Sequence, residues 1–190
     1  LHAALFLALP STVGLILVAR PLVGAIYQHG RFTSEDTQLA AGVLVCYALG
    51  LSGYFIQQIL PRTFYAMKDS KVPARTAAVA VILNIFLNLT LIWPMGVGGL
   101  ALSTALCSYV QVGIMLWLLS RKYNLNLSEG FWPIFLKTVF GTLLMGAAGV
   151  LCLVFLRGLA EDKVGQIMRI VVLVGVCGGV FTITAWTFHN

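Results

Sequence analysis

Long apolar runs alternate with short polar connectors along the whole of this 190-residue chain. A transmembrane helix needs about 20 mainly apolar residues to cross roughly 30 Å of hydrocarbon, and six runs of suitable length are present. The predicted spans are residues 2–19, 39–60, 72–93, 97–119, 133–156 and 170–188. The pattern therefore predicts an all-α polytopic membrane protein with six transmembrane helices.

Prolines and capping residues set the predicted ends of the first helices. The first span is expected to bend at Pro10 and to stop at Arg20, because the residue before a proline disfavours helical geometry. A short amphipathic piece is expected over residues 22–29. The next helix is predicted to begin at the acidic, capped stretch 33–36 and to end at Pro61.

The strongest polar interruption is the connector over residues 61–75. Its basic and turn-forming residues, here named the basic loop, are Arg62, Lys68, Asp69, Lys71, Pro73 and Arg75. If connectors alternate across the bilayer, seven basic residues lie on the side of this loop and five on the other. Because Lys and Arg are retained in the cytoplasm, this bias puts the basic loop and the C-terminus there. The loop is expected to orient the chain, and binding of a pyrophosphate or an anionic headgroup is the alternative.

Composition agrees with membrane insertion and excludes some partners. Hydrophobic residues make up 59% and charged residues 9% of the chain, whereas soluble proteins carry about 25% charged residues. The net charge is +6, but the basic residues are spread over several connectors, so no nucleic-acid partner is expected. The four cysteines lie inside apolar runs without ligand spacing and are expected to pack as small hydrophobes.

Catalytic chemistry is not expected from this sequence. All six acidic residues fall in connectors, so no span offers the carboxylates of a proton relay or a divalent-metal site. No His-Glu-x-x-His motif, Gly-x-Ser-x-Gly elbow or phosphate-binding glycine loop occurs. We therefore expect no enzyme, no catalytic residue and no organic cofactor.

Neither an initiator Met nor a basic segment precedes the first apolar run, so a truncated start is also expected.

Polar residues inside the third and fourth spans are the candidate binding chemistry, because a polar group in hydrocarbon is costly without a partner. Asn84 and Asn88 lie four residues apart and share one helical face. After the short connector 94–99, that face is expected to meet polar side chains of the fourth span. The polar cavity candidates there are Ser103, Ser108 and Gln111, with Thr104 beside them.

Two roles stay open for this polar set. Amide and hydroxyl oxygens, with a carbonyl such as that of Leu100, are hard ligands suited to a small cation such as sodium, although no acid supplies a countercharge. Alternatively, the same groups hydrogen-bond between two helices as packing contacts worth about 0.6 to 2 kcal/mol each. The candidate cation set is Asn84, Asn88, Leu100 and Thr104.

Several stretches carry a resemblance to a known family. They are 27–33 (YQHGRFT) followed by Asp36 and Thr37, 47–51 (YALGL), 64–66 (FYA) with Asp69, Lys71 and Pro73, Asn84, and 99–104 (GLALST). In this combination the sequence resembles the MurJ (MviN) lipid II flippases of the multidrug/oligosaccharidyl-lipid/polysaccharide exporter superfamily. The resemblance covers essentially the whole chain.

The resemblance implies a fourteen-helix, two-lobed transporter that works by alternating access, of which this chain is similar to the last six helices. Residues 1–119 would be four helices of the C-terminal lobe, and 120–132 a cytoplasmic or interfacial connector. Residues 133–190 would be the pair that lines a groove for the undecaprenyl tail. The resemblance also implies a monovalent-cation site at the candidate cation set, with Asn88 standing where the family can carry an aspartate.

The implied activity is movement of undecaprenyl-linked peptidoglycan precursor from the cytoplasmic to the outer leaflet of the bacterial inner membrane. The implied partners are lipid II, membrane lipids and the N-terminal helices of the same protein. The family's headgroup-binding arginines lie in those earlier helices, so none is expected here. A related polysaccharide or multidrug exporter is the alternative.

Overall fold

The structure, a computed structural model, describes residues 2–28, 30–123, 131–156 and 163–189. Seven α-helices occupy these ranges: α1 (His2–Tyr27), α2 (Ser34–Leu49), α3 (Leu51–Ala66), α4 (Lys71–Met95), α5 (Val97–Tyr123), α6 (Phe131–Phe155) and α7 (Lys163–His189). Five of them are long and apolar enough to cross a membrane, and α2 with α3 makes a sixth candidate span if the bent pair counts as one. The predicted all-α membrane architecture is confirmed.

The second span is not the single helix that the sequence predicted. It consists of α2 and α3, which are bent by 40° at the residue between them, Gly50. The predicted stop at Pro61 is wrong, because α3 continues through this proline to Ala66. Leu60 and Phe64 on either side of Pro61 are fully buried in a cluster with Met115 of α5. This packing offsets the hydrogen bond that a proline removes from a helix.

The first helix also passes through its prolines. We expected it to stop at Arg20, but α1 runs without interruption to Tyr27 and contains both Pro10 and Pro21. The predicted amphipathic piece over 22–29 is therefore, as far as Tyr27, the end of α1. Ala19 and Val23 are buried against Ala41 of α2, so tertiary contacts hold the turns on both sides of Pro21.

Local signals set the other helix ends, and the start of α2 is as predicted. At the start of α2, the Thr33 amide donates to Asp36 Oδ2 at 2.9 Å and the Asp36 amide donates to Thr33 Oγ1 at 3.3 Å. This is a reciprocal cap of the first turn. Pro73 lies in the first turn of α4. Backbone N–H groups in the first turn have no hydrogen-bond acceptor within the helix, so the N–H that proline lacks is not needed there. Gly96 alone connects α4 to α5 and has φ +55°, a backbone conformation that favours glycine.

The chain divides into two compact units. The first unit comprises residues 1–8 and 49–135 and holds α3, α4 and α5. Its apolar core is formed by one side of α3 packed on α5, and the buried members are Ile56, Leu60, Phe64, Val112, Met115 and Leu119. The α3 and α4 helices thus both pack against α5, which is the central helix of this unit.

The second unit comprises residues 9–48 and 136–190, with most of α1, α2, α6 and α7. Small residues bring its helices close together. A Cβ atom on Gly149 of α6 would lie 3.0 Å from Cys177 Sγ of α7 and would clash with the Leu17 side chain of α1. A Cβ atom on Gly146 would lie 3.3 Å from Val13 Cγ1. These glycines allow the close helix contacts that stabilise packing in lipid.

The predicted division at residues 119 and 133 stays a prediction. The compact units group α1 and α2 with α6 and α7, whereas the predicted parts refer to lobes of a longer protein. The connector predicted over 120–132 is shorter than expected, because α5 extends to Tyr123 and α6 begins at Phe131. Residues 124–130 of that connector lie outside the described residues.

Candidate functional site

The candidate site lies between α4 and α5 in the first unit. The one-residue connection at Gly96 turns the chain back on itself, so the end of α4 faces the start of α5. A Cβ atom on Gly99 would collide with the backbone carbonyl of Leu91. The two helix backbones therefore touch at this point, and the polar side chains one to two turns further along meet directly.

Five polar groups form one hydrogen-bonded network there, here named the α4–α5 cluster: Asn84, Asn88, Ser103, Thr104 and the Leu100 carbonyl. Asn88 Nδ2 donates to Asn84 Oδ1 at 2.9 Å along α4, and Asn84 Nδ2 lies 3.5 Å from Thr104 Oγ1 across the helix pair. Ser103 Oγ donates to Asn88 Oδ1. The predicted face of α4 thus meets the predicted residues of α5.

The hydroxyls of the cluster also bond their own helix. Ser103 Oγ lies 2.8 Å and Thr104 Oγ1 2.9 Å from the Leu100 carbonyl oxygen. A hydroxyl has one proton to donate. One consistent arrangement has Thr104 donating to Leu100 and Ser103 donating to Asn88, which gives every oxygen in the cluster except Ser103 Oγ a donor. Ser103 is fully buried, so no solvent can replace its bond.

The oxygen atoms of the α4–α5 cluster are ligands suited to a small, hard cation of low charge. It offers amide, hydroxyl and carbonyl oxygens and contains no carboxylate. Across the described parts of the chain, no group of three or more His, Cys, Asp or Glu side chains could hold a metal ion. The residues therefore fit a monovalent cation better than a divalent one. Coordination would require Asn88 and Ser103 to release each other.

Two predicted cavity residues, Ser108 and Gln111, lie outside the α4–α5 cluster and face α3. Gln57 Nε2 of α3 donates to Gln111 Oε1 at 2.7 Å. Ser108 Oγ donates to the Ala105 carbonyl at 2.7 Å, and a Cβ atom on Gly53 would approach it to 2.5 Å. Of the three predicted cavity residues, only Ser103 joins the cluster.

The sequence reasoning missed the polar contacts on α3. Tyr109 Oη donates to the Leu49 carbonyl at 2.6 Å and lies 2.6 Å from Ser52 Oγ. Ser52 and Gln57 are the α3 residues in these contacts, and both are polar groups within a predicted span. The polarity of these two residues and the neighbouring Gly50 and Gly53 could have indicated a close contact with another helix. The sequence spacing does not show which helix supplies the partner.

The basic loop is shorter than the connector predicted over 61–75, because Arg62 lies in α3 and Lys71, Pro73 and Arg75 lie in α4. Residues 67–70 join the two helices in a tight turn that carries an ion pair. Lys68 has φ +59° and the Asp69 amide donates to the Phe64 carbonyl at 2.9 Å, closing the end of α3. Asp69 Oδ2 pairs with Lys122 Nζ of α5 at 2.5 Å, and the Asp69 side chain is only 12% exposed. The hydrogen bond from Lys122 lowers the pKa of Asp69 below its ordinary value.

The remaining basic side chains of the loop, Arg62, Lys68, Lys71 and Arg75, are exposed. Pro73 is buried under the first turn of α4. Close to the ion pair in sequence, Arg121 stacks over the Trp117 ring at 5.2 Å from its centroid. Cationic side chains beside an exposed aromatic ring are typical of a membrane interface.

Comparisons with known proteins agree on one family. Residues 1–172 match the family model described as lipid II flippase MurJ. A lipid II flippase MurJ of Thermosipho africanus is 35% identical over 117 residues, 62% of this chain and 25% of that protein. A probable lipid II flippase MurJ of Thermotoga maritima is 31% identical over 173 residues, 91% of this chain and 34% of that protein.

A solved structure gives the same result for the fold. The lipid II flippase MurJ in an inward closed conformation superposes with a TM-score of 0.79 and 26% identity over 97% of this chain and 36% of that one. This chain spans about a quarter to a third of the length of the relatives it matches. Because the family model covers nearly all of the sequence, the chain belongs to the family of MurJ lipid II flippases.

Proposed function

We propose that this chain is the C-terminal part of a flippase that moves lipid II across the bacterial inner membrane by alternating access. The observation that carries the proposal is the family match over residues 1–172. The superposition on a MurJ structure over 97% of the chain supports it. The lipid II substrate, the surrounding lipids and the N-terminal helices are the proposed partners.

The chain's proposed contribution is mechanical rather than chemical. Alternating access needs rigid helix groups that keep their shape while the path between them opens and closes. The backbone contact of Gly99 with Leu91 and the α4–α5 cluster fit such a rigid pair. No covalent step is proposed for any residue of this chain.

The proposed orientation places the basic loop and the C-terminus in the cytoplasm. Arg62, Lys68, Lys71 and Arg75 supply the positive charge that is retained on that side. Asp69 is paired with Lys122, so this ion pair is neutral and the positive charge of the loop is carried by these four side chains.

The α4–α5 cluster is further proposed as a monovalent-cation site, with sodium as the cation. The oxygens of Asn84, Asn88, Leu100 and Thr104 support this by their chemistry. A bound cation would supply a positive charge that links the two helices through oxygen ligands. Asn88 Oδ1 accepts a hydrogen bond from Ser103, so Asn88 would have to turn this oxygen towards the cation.

Complementation tests the proposed function. The complete gene that encodes this chain is expressed in bacteria whose own flippase is depleted, and survival is scored beside protein level. We expect survival with the intact gene and lysis when residues 1–190 are deleted from it. Lysis with the intact gene at normal protein level would refute the proposal. A related polysaccharide or multidrug exporter has no separate observation in its favour here.

A further inference from the structure

The side of α3 that points away from α5 is exposed and polar. The other side of α3 packs on α5 through the buried residues Leu60 and Phe64. Four exposed residues follow one another at intervals of three and four along the outward side: Phe55, Gln58, Arg62 and Tyr65. This spacing puts them on a single helical face, here named the α3 outer face.

The two glutamines of α3 have opposite surroundings. Gln57 Nε2 donates to Gln111 Oε1 of α5 at 2.7 Å, so the Gln57 amide has a partner inside the first unit. Gln58 is exposed, and among the described residues its side-chain amide has no hydrogen-bond partner. Gln58 lies about 12 Å along the axis from the end of α3 at Ala66. The unpaired amide is therefore more than two turns inside this candidate span.

The exposed side of α4 in the same unit has a different composition. Its large exposed side chains in the middle of the helix are all apolar: Val79, Val81, Ile82, Ile85, Phe86 and Leu89. The exposed Thr90 donates to backbone carbonyls of its own helix. This side of α4 suits hydrocarbon, whereas the α3 outer face would leave an amide and a guanidinium without partners there.

The residues of the α3 outer face fit a sugar that carries a phosphate. The Gln58 amide can both donate hydrogen bonds to hydroxyl groups and accept them, and the Arg62 guanidinium pairs with phosphate oxygens. Phe55 and Tyr65 add exposed rings with an apolar surface beside these polar groups. The headgroup of a lipid-linked peptidoglycan precursor combines sugar rings with a pyrophosphate, so it matches this set.

We propose that the α3 outer face lines the path along which the headgroup crosses the membrane, and that Gln58 hydrogen-bonds the sugar part of that headgroup. The inference rests on the proposed function and deepens it by assigning a substrate contact outside the α4–α5 cluster. This chain spans about a quarter to a third of the length of its relatives, so the remaining helices would complete the path.

Accessibility to a charged thiol reagent tests whether the α3 outer face is in contact with water. The complete protein, with its native cysteines replaced, carries Gln58→Cys or the matched control Ile85→Cys from the exposed side of α4. In lipid nanodiscs, a membrane-impermeant methanethiosulfonate reaches both sides of the protein and reacts with thiols in water. We expect Gln58→Cys to be labelled and added lipid II to slow the labelling, whereas Ile85→Cys should stay unlabelled.

The flipping rate tests the hydrogen bond itself. Gln58→Leu removes the amide and should lower the flipping rate of the complete protein about two- to tenfold, the factor for one net hydrogen bond. Its unfolding midpoint should not fall, because the amide has no partner among the described residues. Thr90→Val is the matched control, since it removes an exposed hydroxyl that bonds only its own helix. Both its rate and its midpoint should stay unchanged.

The outcomes separate this inference from the proposed function. If Gln58→Cys is as unreactive as Ile85→Cys, lipid or other helices cover the α3 outer face and the inference is overturned. Labelling that lipid II does not slow, or a normal flipping rate in Gln58→Leu, overturns the substrate contact. An equal loss of rate in Thr90→Val does the same. Failure of the wild-type protein to flip lipid II refutes the proposed function, whereas the labelling of Gln58→Cys still shows whether this face meets water.

Discussion

Asn88 of α4 and Ser103 of α5 are hydrogen-bonded across the helix pair, with Ser103 donating to the Asn88 side-chain oxygen and fully buried. The bond connects the two helices next to the point where their backbones touch, at Leu91 and Gly99. A polar contact of this kind in a membrane interior specifies which faces of two helices meet.

Ser103→Ala should lower the free energy of unfolding by about 0.6 to 2 kcal/mol, because Asn88 loses a donor that neither water nor lipid replaces. Ser120→Ala is the matched control, since the Ser120 hydroxyl bonds the Trp117 carbonyl of its own helix, and it should change stability by less than about 0.5 kcal/mol. Thermal unfolding of the complete protein in detergent measures both. Equal effects of the two changes would contradict the assigned bond.

Gly99→Ala should destabilise the protein by about 1 to 3 kcal/mol, since the added methyl group collides with the Leu91 backbone and forces α4 and α5 apart. Gly113→Ala on the same helix is the control, because its Cβ atom would meet no other atom within 4 Å. That variant should be neutral or slightly more stable. Unfolding midpoints compare the two variants, and a neutral Gly99→Ala would show that the backbones do not touch.

Sodium should raise the unfolding midpoint of the complete protein relative to choline if the α4–α5 cluster binds a monovalent cation. At a concentration ten times Kd the expected gain is about 1.4 kcal/mol. Asn88→Ala should abolish the gain because it removes one ligand oxygen. Gln111→Ala removes a polar group that bonds α3 instead, and it should keep the gain. No sodium effect in the wild-type protein would leave hydrogen-bonded packing as the role of the cluster.

The Asp69–Lys122 ion pair should make stability depend on acid pH. Because the pKa of Asp69 is lowered in the folded protein from an ordinary value of 3.8, the pair's contribution is complete above that value. It is lost as the pH falls through the lowered folded-state pKa. Asp69→Asn should therefore destabilise the protein at pH 7 and progressively less as the pH falls below the lowered folded-state pKa of Asp69, as measured by unfolding across that range. An equal penalty across that range would exclude the ionised carboxylate as its cause.

Local sequence predicted most elements of this fold correctly. The capped start at Thr33 and the short connection between α4 and α5, predicted over 94–99, depend on residues within one turn of each other. The short connection also makes α4 and α5 neighbours, so helical spacing alone was enough to place Asn84 and Ser103 on facing sides.

The predictions that were wrong depend on contacts between distant parts of the chain. Helices α1 and α3 continue through Pro21 and Pro61 because residues beside these prolines are buried against other helices. Likewise, α5 uses different sides for its two neighbours: Ser103 faces α4, whereas Gln111 faces α3. Helical spacing places these residues on one broad face but does not give the rotation of α5 between its neighbours.

Flipping itself is best measured as the amount of lipid II that reaches the outer leaflet in flippase-depleted cells expressing the complete protein. Lipid II is detected there by an externally added enzyme that cleaves its headgroup. We predict that outer-leaflet lipid II returns to the level of undepleted cells with the intact protein and falls when the residues of this chain are deleted. Outer-leaflet lipid II that stays at the depleted level, with the intact protein present in the membrane, would contradict the proposed function.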